Sequence, residues 1–203
     1  MALPIKLKIL GKSLAQIIVQ HNPNSIHGLA IIIPTIHSDS RGYFMETYNR
    51  NEMFAEGLDL TFVQDNQSCS SKGVLRGLHY QKRYPQGKLV RVISGSVYDV
   101  AVDLRRGSST YSQYFGLILN DQNNLQFYIS PGFAHGFLVL SKIAVFAYKV
   151  TDFWHPNDEG GLAWDDPDIN IAWPLEKLCG ADILLSEKDK NNLTLKDLQH
   201  QGL

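Results

Sequence analysis

Two histidines in apolar, strand-like segments are the residues best suited to proton transfer. Residues 73–81 (GVLRGLHYQ) place His79 in an apolar run three residues after Arg76, and residues 131–137 (PGFAHGF) place His135 between two glycines. Histidine exchanges a proton near neutral pH because its ordinary pKa is close to 6.5. A lone strand histidine is more often a structural hydrogen-bonding residue, so His79 alone stays ambiguous. Glycines beside His135 allow a ligand or another backbone to come close.

A metal site is the first alternative for two such histidines. Jelly-roll metal enzymes of the cupin type usually supply a His-x-His pair and a glutamate from the first motif, and a further histidine from the second. In this sequence Gln81 stands two residues after His79, and no glutamate follows before Ser94. A catalytic metal normally needs three protein ligands, so the sequence predicts no bound metal.

Tyr148 and Asp189 each have a structural and a chemical interpretation. Tyr148 shares a predicted strand face with Phe146 and Val150, which is typical of a core tyrosine with its hydroxyl at the rim, or of a proton donor. Asp189 ends the segment SEKD at residues 186–189, and Ser-x-x-Asp ahead of a helix is a capping pattern. Both interpretations stay open for both residues.

The elements that must position these side chains are predicted to be β-strands. Between residues 29 and 173 the chain repeats short β-branched or aromatic runs, each closed by Gly, Asn, Asp, Pro or Ser. The predicted strands are 29–33, 43–48, 61–66, 74–80, 88–94, 96–104, 114–119, 125–129, 133–140 and 145–152. Helical periodicity occurs only at 51–56 and from 186 to 198. This pattern predicts an all-β sandwich or jelly-roll barrel with a few short helices, mainly near the C-terminus.

The segment 96–104 shows the alternation of a half-buried strand. Tyr98, Val100, Val102 and Leu104 share one face, while Asp99, Ala101 and Asp103 share the other. The pattern predicts that one of these two faces belongs to the core.

Composition excludes several classes of function. The 203 residues carry a formal net charge of −1 from 19 basic and 20 acidic residues, and the basic residues are scattered, which argues against a nucleic-acid surface. The apolar runs are too short to span a bilayer. Cys69 and Cys179 match neither a disulfide scaffold nor a metal motif, which favours a cytoplasmic location. We expect a single domain over residues 1–203, with residues 1–28 as an extension of no assigned role rather than a signal peptide.

The ordered motifs of the chain resemble one family. They are DSRGYFME at 39–46, FVQDN at 62–66, RGLHYQ at 76–81, GKLVR at 87–91, DVAVDLR at 99–105, PGFAHGF at 131–137, YK at 148–149 and WDDP at 164–167. From about residue 31 to residue 190 the chain resembles the dTDP-4-dehydrorhamnose 3,5-epimerases of the cupin superfamily. The resemblance implies a cupin-like jelly roll, a homodimer, and conversion of dTDP-4-dehydro-6-deoxy-D-glucose to dTDP-4-dehydro-L-rhamnose without a cofactor.

The resemblance also implies roles for individual residues. His79 would be the general base and Asp189 the carboxylate that orients it, while Lys88 would hold the ketone oxygen and Tyr148 would be the acid on the opposite face. The residues implied to bind the nucleotide sugar are Arg41, Glu46, Gln64, Asn66, Arg76, His135, Glu159 and Lys188. Trp154 stands where many relatives have a tyrosine that stacks on thymine, so strict thymidine preference is less secure.

These roles agree with the chemistry of a carbon acid. A C–H bond beside a ketone is a weak acid, so its cleavage needs a positioned base and a cation where charge develops on oxygen. Inversion then needs a proton from the other face of the ring, which a single base cannot deliver. The alternatives are a 3-only epimerase of a related nucleotide-linked 4-keto-6-deoxy sugar, a metal-dependent cupin isomerase or dioxygenase, and a non-catalytic carbohydrate-binding jelly roll.

Overall fold

The structure, a computed structural model, describes residues 16–202 as two antiparallel sheets that face each other, with a separate hairpin. The strands are β1 (Ile17–His21), β2 (Leu29–Pro34), β3 (His37–Asp39), β4 (Gly42–Phe44), β5 (Gln64–Ser71), β6 (Leu75–Gln81), β7 (Lys88–Ser94), β8 (Ser96–Asp103), β9 (Tyr114–Asn120), β10 (Gln126–Ile129), β11 (Phe133–Val139), β12 (Ile143–Val150) and β13 (Glu159–Gly161). The helices are α1 (Arg50–Ala55), α2 (Glu187–Lys190) and α3 (Leu195–His200), with 3-10 turns at Pro23–Ser25 and Leu175–Leu178.

The order of the strands defines a jelly-roll arrangement. Sheet A has the order β1-β2-β10-β7-β12-β5, sheet B has the order β13-β6-β11-β8-β9, and β3 and β4 form a two-stranded hairpin. All of these pairings are antiparallel. The prediction of an all-β jelly roll with few helices is confirmed. None of the helices formed by residues 16–202 is long and apolar enough to cross a bilayer.

The main core lies between the inner faces of the two sheets. Phe127 and Phe146 of sheet A are buried against Ala101 and Phe137 of sheet B. The Phe137 and Phe146 rings stack with 4.2 Å between their centroids. Burial of each such side chain contributes roughly 1.5–3 kcal/mol to stability. This apolar contact fixes the distance between the sheets, and so between any residues that face each other across them.

The prediction that only one face of segment 96–104 is core is wrong. Val100 and Val102 are buried on the outer side of sheet B against Leu195 and Leu198 of α3, while Ala101 is buried between the sheets. The C-terminal segment covers the outer face, so the strand is enclosed on both sides. Asp99, which shares its inner face with Ala101, is therefore fully buried.

Several predicted boundaries differ from the structure. The predicted strand 43–48 is limited to Gly42–Phe44 in the structure. Residues 45–49 connect it to α1, which Asn49 caps by accepting from the amides of Asn51 and Glu52. The predicted strand 61–66 is shifted in the structure to β5, Gln64–Ser71. This segment is polar, and its pairing with β12 keeps it extended. The predicted helical stretch 186–198 divides into α2 and α3, since Thr194 forms a new capping box with Asp197. The strands β1, β3 and β13 were not predicted.

Part of the predicted N-terminal extension belongs to sheet A. β1 pairs with β2 along its whole length, and Ile17 is 1% exposed. Residues 1–15 lie outside the described residues. The single domain over residues 1–203 stays a prediction.

Candidate active site

An irregularity in the pairing of β6 with β11 brings Arg76 and His79 to the same side of sheet B. His79 lies opposite His135 and Arg76 opposite Phe137, with a register shift between them. In a regular strand Arg76 and His79, which are three residues apart, would point to opposite faces of the sheet. Their partners His135 and Phe137 are two residues apart and share the inner face, so the irregularity turns both Arg76 and His79 to that face. The expected close approach at Gly136 is confirmed, because a Cβ there would lie 2.6 Å from the Arg76 carbonyl oxygen.

Asp189 fixes the His79 ring. His79 Nε2 lies 2.6 Å from Asp189 Oδ1, and Ser186 Oγ donates to Asp189 Oδ2 at 2.8 Å. Burial works against the ionised carboxyl, but the hydrogen bonds from His79 and Ser186 outweigh it and lower the pKa of Asp189. An anionic Asp189 holds the Nε2 proton, so Nδ1 keeps a free lone pair. Ser186 also caps α2 by accepting from the Asp189 amide, so the capping and His79-contact interpretations both hold.

Lys88 supplies a positively charged side chain from sheet A. It begins β7 and lies opposite Val150 of β12. Burial lowers its pKa to about 8, and the negative charges of Asp99 and Glu159 oppose that shift. Lys88 is therefore protonated at neutral pH while its ammonium is poorly solvated, which strengthens its interaction with any anion placed beside it.

Tyr148 and His79 stand on opposite walls of the space between the sheets. Tyr148 lies opposite Val90, a residue of the core between the sheets. His79 lies opposite His135, whose ring stacks on Phe146 with 6.2 Å between centroids. Burial raises the pKa of Tyr148, so its hydroxyl stays protonated and can donate a proton.

The side chains of His79, Lys88 and Tyr148 border one cavity of about 250 Å³ at the end of the barrel. Its lining includes seven residues predicted from the sequence: Gln64, Asn66, His79, Lys88, Tyr148, Trp154 and Glu159. Tyr80, Gln81 and Gln86 also line it and were not predicted as site residues. The strand register explains part of the grouping, because Gln64 pairs with Val150 and Asn66 pairs with Tyr148.

Glu159 connects three of the predicted residues at the mouth of the cavity. Its Oε2 lies 2.5 Å from Lys188 Nζ and accepts from Trp154 Nε1 at 3.2 Å, while its Oε1 lies 3.8 Å from His79 Nδ1. Burial acts to raise the pKa of Glu159, but the hydrogen bonds from Lys188 and Trp154 are among the interactions that lower it overall. The carboxylates of Asp189 and Glu159 thus flank the two ring nitrogens of His79.

His135 has a buried partner that the sequence prediction missed. His135 Nε2 lies 3.0 and 3.1 Å from the two oxygens of Asp99, and both side chains are buried. Burial lowers the pKa of His135 and raises that of Asp99. The signal for Asp99 was present in the sequence, since a carboxylate in an apolar strand needs a buried partner.

Three predicted binding residues are placed less directly. Arg76 Nε donates to Ser70 Oγ at 3.1 Å, and its charge lowers the pKa of Tyr148 against the effect of burial. Arg41 pairs with Asp39 on the β3–β4 hairpin and its side chain is 88% exposed. Glu46 accepts from Asn49 Nδ2 at 3.2 Å before α1. Five of the predicted binding residues are not among those that line the cavity: Arg41, Glu46, Arg76, His135 and Lys188.

Within residues 16–202, no group of three or more His, Cys, Asp or Glu side chains is arranged to hold a metal ion. At the position where the metal pattern needs a second histidine, the Gln81 amide is bonded to the backbone of Tyr84, Phe153 and His155. A metal-free reaction stays a prediction.

The fold and the site define a jelly-roll protein with an acid–base pocket between its two sheets. The family model of dTDP-4-dehydrorhamnose 3,5-epimerase matches residues 23–197. The chain belongs to this family, which confirms the resemblance.

Individual relatives agree with this assignment. A dTDP-4-dehydrorhamnose 3,5-epimerase from Methanothermobacter thermautotrophicus is 52% identical over 173 residues, which are 85% of this chain and 92% of the relative. A solved dTDP-6-deoxy-D-glucose-3,5-epimerase from Legionella pneumophila, in complex with dTDP-4-keto-L-rhamnose, is 46% identical with a TM-score of 0.84, and the match covers 91% of this chain and 96% of that one. A 3'-monoepimerase from Streptomyces bikiniensis, in complex with dTDP-quinovose, is 33% identical with a TM-score of 0.82 and 91% coverage of each chain.

Proposed function

We propose that this protein is an isomerase that inverts C3 and C5 of dTDP-4-dehydro-6-deoxy-D-glucose to give dTDP-4-dehydro-L-rhamnose, in dTDP-rhamnose biosynthesis. The observation that carries the proposal is the placement of His79 and Tyr148 on opposite walls of one cavity, with Lys88 on its lining. Inversion of a carbon beside a ketone needs those three functions in that arrangement.

Each inversion follows the same sequence of proton transfers. His79 Nδ1 takes the proton from the carbon beside the C4 ketone, and the electron pair of the broken C–H bond forms the enolate. The Lys88 ammonium stabilises the negative charge that develops on the ketone oxygen. The Tyr148 hydroxyl then protonates the carbon from the other face, and the enolate returns to the ketone. Before the next inversion His79 releases its proton to solvent and the Tyr148 phenolate takes one up from solvent. Asp189 and Glu159 stabilise the imidazolium formed on His79.

The nucleotide is assigned to the mouth of the cavity. Trp154 is 55% exposed there, and an exposed aromatic face can stack on a base. Arg76 and Lys188 supply cations for the diphosphate, and polar groups for the remaining hydroxyl and carbonyl oxygens come from the lining. The other assigned binding residues are Arg41, Glu46, Gln64, Asn66, His135 and Glu159. No metal or redox cofactor takes part in this scheme.

A 3-only epimerase is the second candidate function. It is favoured by the similarity to the Streptomyces bikiniensis 3'-monoepimerase, because that reaction needs the same base, cation and acid. Incubation with dTDP-4-dehydro-6-deoxy-D-glucose followed by NMR of the product distinguishes the two. We expect inversion at both carbons, and a product inverted at C3 alone would support the second candidate.

Tyr148→Phe should separate proton removal from inversion. The variant keeps His79 and Lys88, so we expect it to retain measurable exchange of substrate hydrogens with heavy water while epimerised product falls by about 10²-fold or more. NMR of the same reaction mixture measures both quantities. Exchange and epimerisation that fall by the same factor would contradict a role for Tyr148 as the second acid.

A homodimer in the cytoplasm is the expected state of the protein. The β3–β4 hairpin exposes Tyr43 and Phe44, at 59% and 65%, beside Arg41, and such an apolar edge is typical of a contact between subunits. Arg41 and Glu46 do not line the cavity of their own copy. In a dimer they would be able to contact the nucleotide sugar in the cavity of the second copy. Cys69 and Cys179 are free and exposed, which suits a reducing compartment. Sedimentation velocity should give twice the chain mass, and a monomer at the working concentration would contradict the dimer.

A further inference from the structure

The Gln81 side chain joins two loops at the mouth of the cavity. Gln81 is 7% exposed and lies at the end of β6. Its Nε2 donates to the Tyr84 carbonyl oxygen at 2.6 Å and to the Phe153 carbonyl oxygen at 3.2 Å, and its Oε1 accepts from the His155 amide at 2.7 Å. The single buried amide of Gln81 thus bonds the backbone of loop 82–87 at Tyr84. It also bonds the backbone of loop 151–158 at the residues directly before and after Trp154.

Further contacts connect the same two loops. Asp158 Oδ2 accepts from the Arg83 amide and from the Tyr84 amide, each at 2.9 Å. The Tyr84 ring stacks on the His155 ring with 4.2 Å between centroids. Gln86 Nε2 donates to the Asp152 carbonyl oxygen at 2.8 Å. The two loops therefore form one hydrogen-bonded unit with Gln81 at its buried side.

Trp154 depends on this unit for its position. Its indole is too exposed for packing to fix it, and its own polar contacts are its amide to Gln64 Oε1 at 3.3 Å and its Nε1 to Glu159 Oε2 at 3.2 Å. The backbone on either side of Trp154 is held by Gln81. We propose that Gln81 is a positioning residue that presents Trp154 to the base of the bound nucleotide, an inference that rests on the proposed function.

The chemistry of the amide explains why glutamine occupies this position. The three backbone groups are two carbonyl oxygens and one N–H, so their partner must donate twice and accept once. A carboxylate only accepts, and a neutral histidine donates once and accepts once. At a position two residues after His79, where a metal-binding jelly roll would need a ligand, this chain has a side chain matched to loop backbone.

Gln81→Met tests the inference because methionine keeps the length and removes all three hydrogen bonds. We expect the Kd for dTDP and the KM for the sugar nucleotide to rise about tenfold or more, equivalent to about 1.4 kcal/mol, while kcat stays within about twofold of wild type. Calorimetry with dTDP gives Kd without any turnover. Gln81→Glu, which keeps the volume and only the bond to the His155 amide, should change Kd in the same direction and serves if the methionine variant does not fold.

A double-mutant cycle with Trp154→Ala separates positioning from a general loss of structure. If Gln81 acts through Trp154, Gln81→Met should add at most about twofold to the Kd of the Trp154→Ala protein. Asp121→Ala is the matched control, because it also removes a side-chain hydrogen bond to loop backbone: Asp121 accepts from the Gly95 amide at 2.7 Å. Gly95 directly follows β7 and lies about 23 Å along the strand direction from Lys88, and so far from the cavity. This control should leave the Kd for dTDP unchanged.

Two results would overturn the inference. One is Gln81→Met protein that binds dTDP within twofold of wild type, and the other is a tenfold effect that persists in full when Trp154 is absent. Failure of the wild-type protein to bind dTDP at all would instead contradict the proposed function.

Discussion

His79→Ala is expected to lower kcat by about 10³-fold or more and to abolish exchange of substrate hydrogens with heavy water. General base catalysis typically contributes 10²–10⁴-fold, and in the described part of the chain His79 is the histidine that combines a lining position with a carboxylate on Nε2. The measurement is the rate of deuterium incorporation into dTDP-4-dehydro-6-deoxy-D-glucose, together with the steady-state rate of product formation.

Binding and stability provide the controls for this variant. The Kd for dTDP should change little, since the nucleotide is assigned to Trp154 and the cations at the mouth. His21→Ala replaces a histidine whose ring bonds the Glu56 carbonyl oxygen and should leave activity unchanged. Exchange by His79→Ala at the wild-type rate would refute the assignment of the base.

Lys88→Met is expected to lower kcat by about 10²–10³-fold and to stabilise the fold. The pKa of Lys88 falls from 10.5 to about 8 on burial, so the folded protein holds this cation at a cost. This lowered pKa already includes the attraction of Lys88 to Asp99 and Glu159. At 1.36 kcal/mol for each pKa unit, we therefore expect the free energy of unfolding to rise by roughly 3 kcal/mol at pH 7. Urea unfolding of both proteins measures it.

The pH dependence of that difference has a definite sign. Below pH 8 the lysine is protonated in both the folded and the unfolded state, and the full cost of the buried cation is present. Between about 8 and 10.5 the folded state loses its proton first, so wild-type stability rises with pH relative to the methionine variant. A difference in stability that does not shrink across this window would contradict the buried cation.

Activity should follow the same group in the opposite sense. Because the cation is needed at the ketone oxygen, kcat/KM should fall as the pH rises through about 8. Lys88→Arg keeps the charge at every accessible pH, so its residual activity should lack this alkaline decline. A decline at the same pH in both proteins would assign it to another group.

The sequence predicted the strands that carry most of the chemistry because their side chains are β-branched and aromatic. Lys88–Ser94 has the predicted bounds, and Phe133–Val139 ends one residue earlier than predicted. The polar segment Gln64–Ser71 was displaced in the prediction, since its strand character comes from pairing with β12 and not from its own residues.

The arrangement of the site depended on contacts that local patterns do not contain. Arg76 and His79 share the inner face only because the register with β11 shifts between them. Asp189 lies 110 residues from His79, and the contact between them forms when α2 packs against β6. Before the structure, the pairing rested on family resemblance. Asp99 and Gln81 were missed as site residues because their partners, His135 and the loop backbone, are adjacent only in the folded chain.

The most direct test of proton transfer at both carbons is the reaction of the wild-type protein with dTDP-4-dehydro-6-deoxy-D-glucose in heavy water, followed by NMR. Proton removal by His79 and return from the opposite wall predict deuterium at both C3 and C5, with inverted configuration at each carbon. Deuterium at C3 alone would contradict the double epimerisation. No incorporation at either carbon would contradict acid–base chemistry in this pocket altogether.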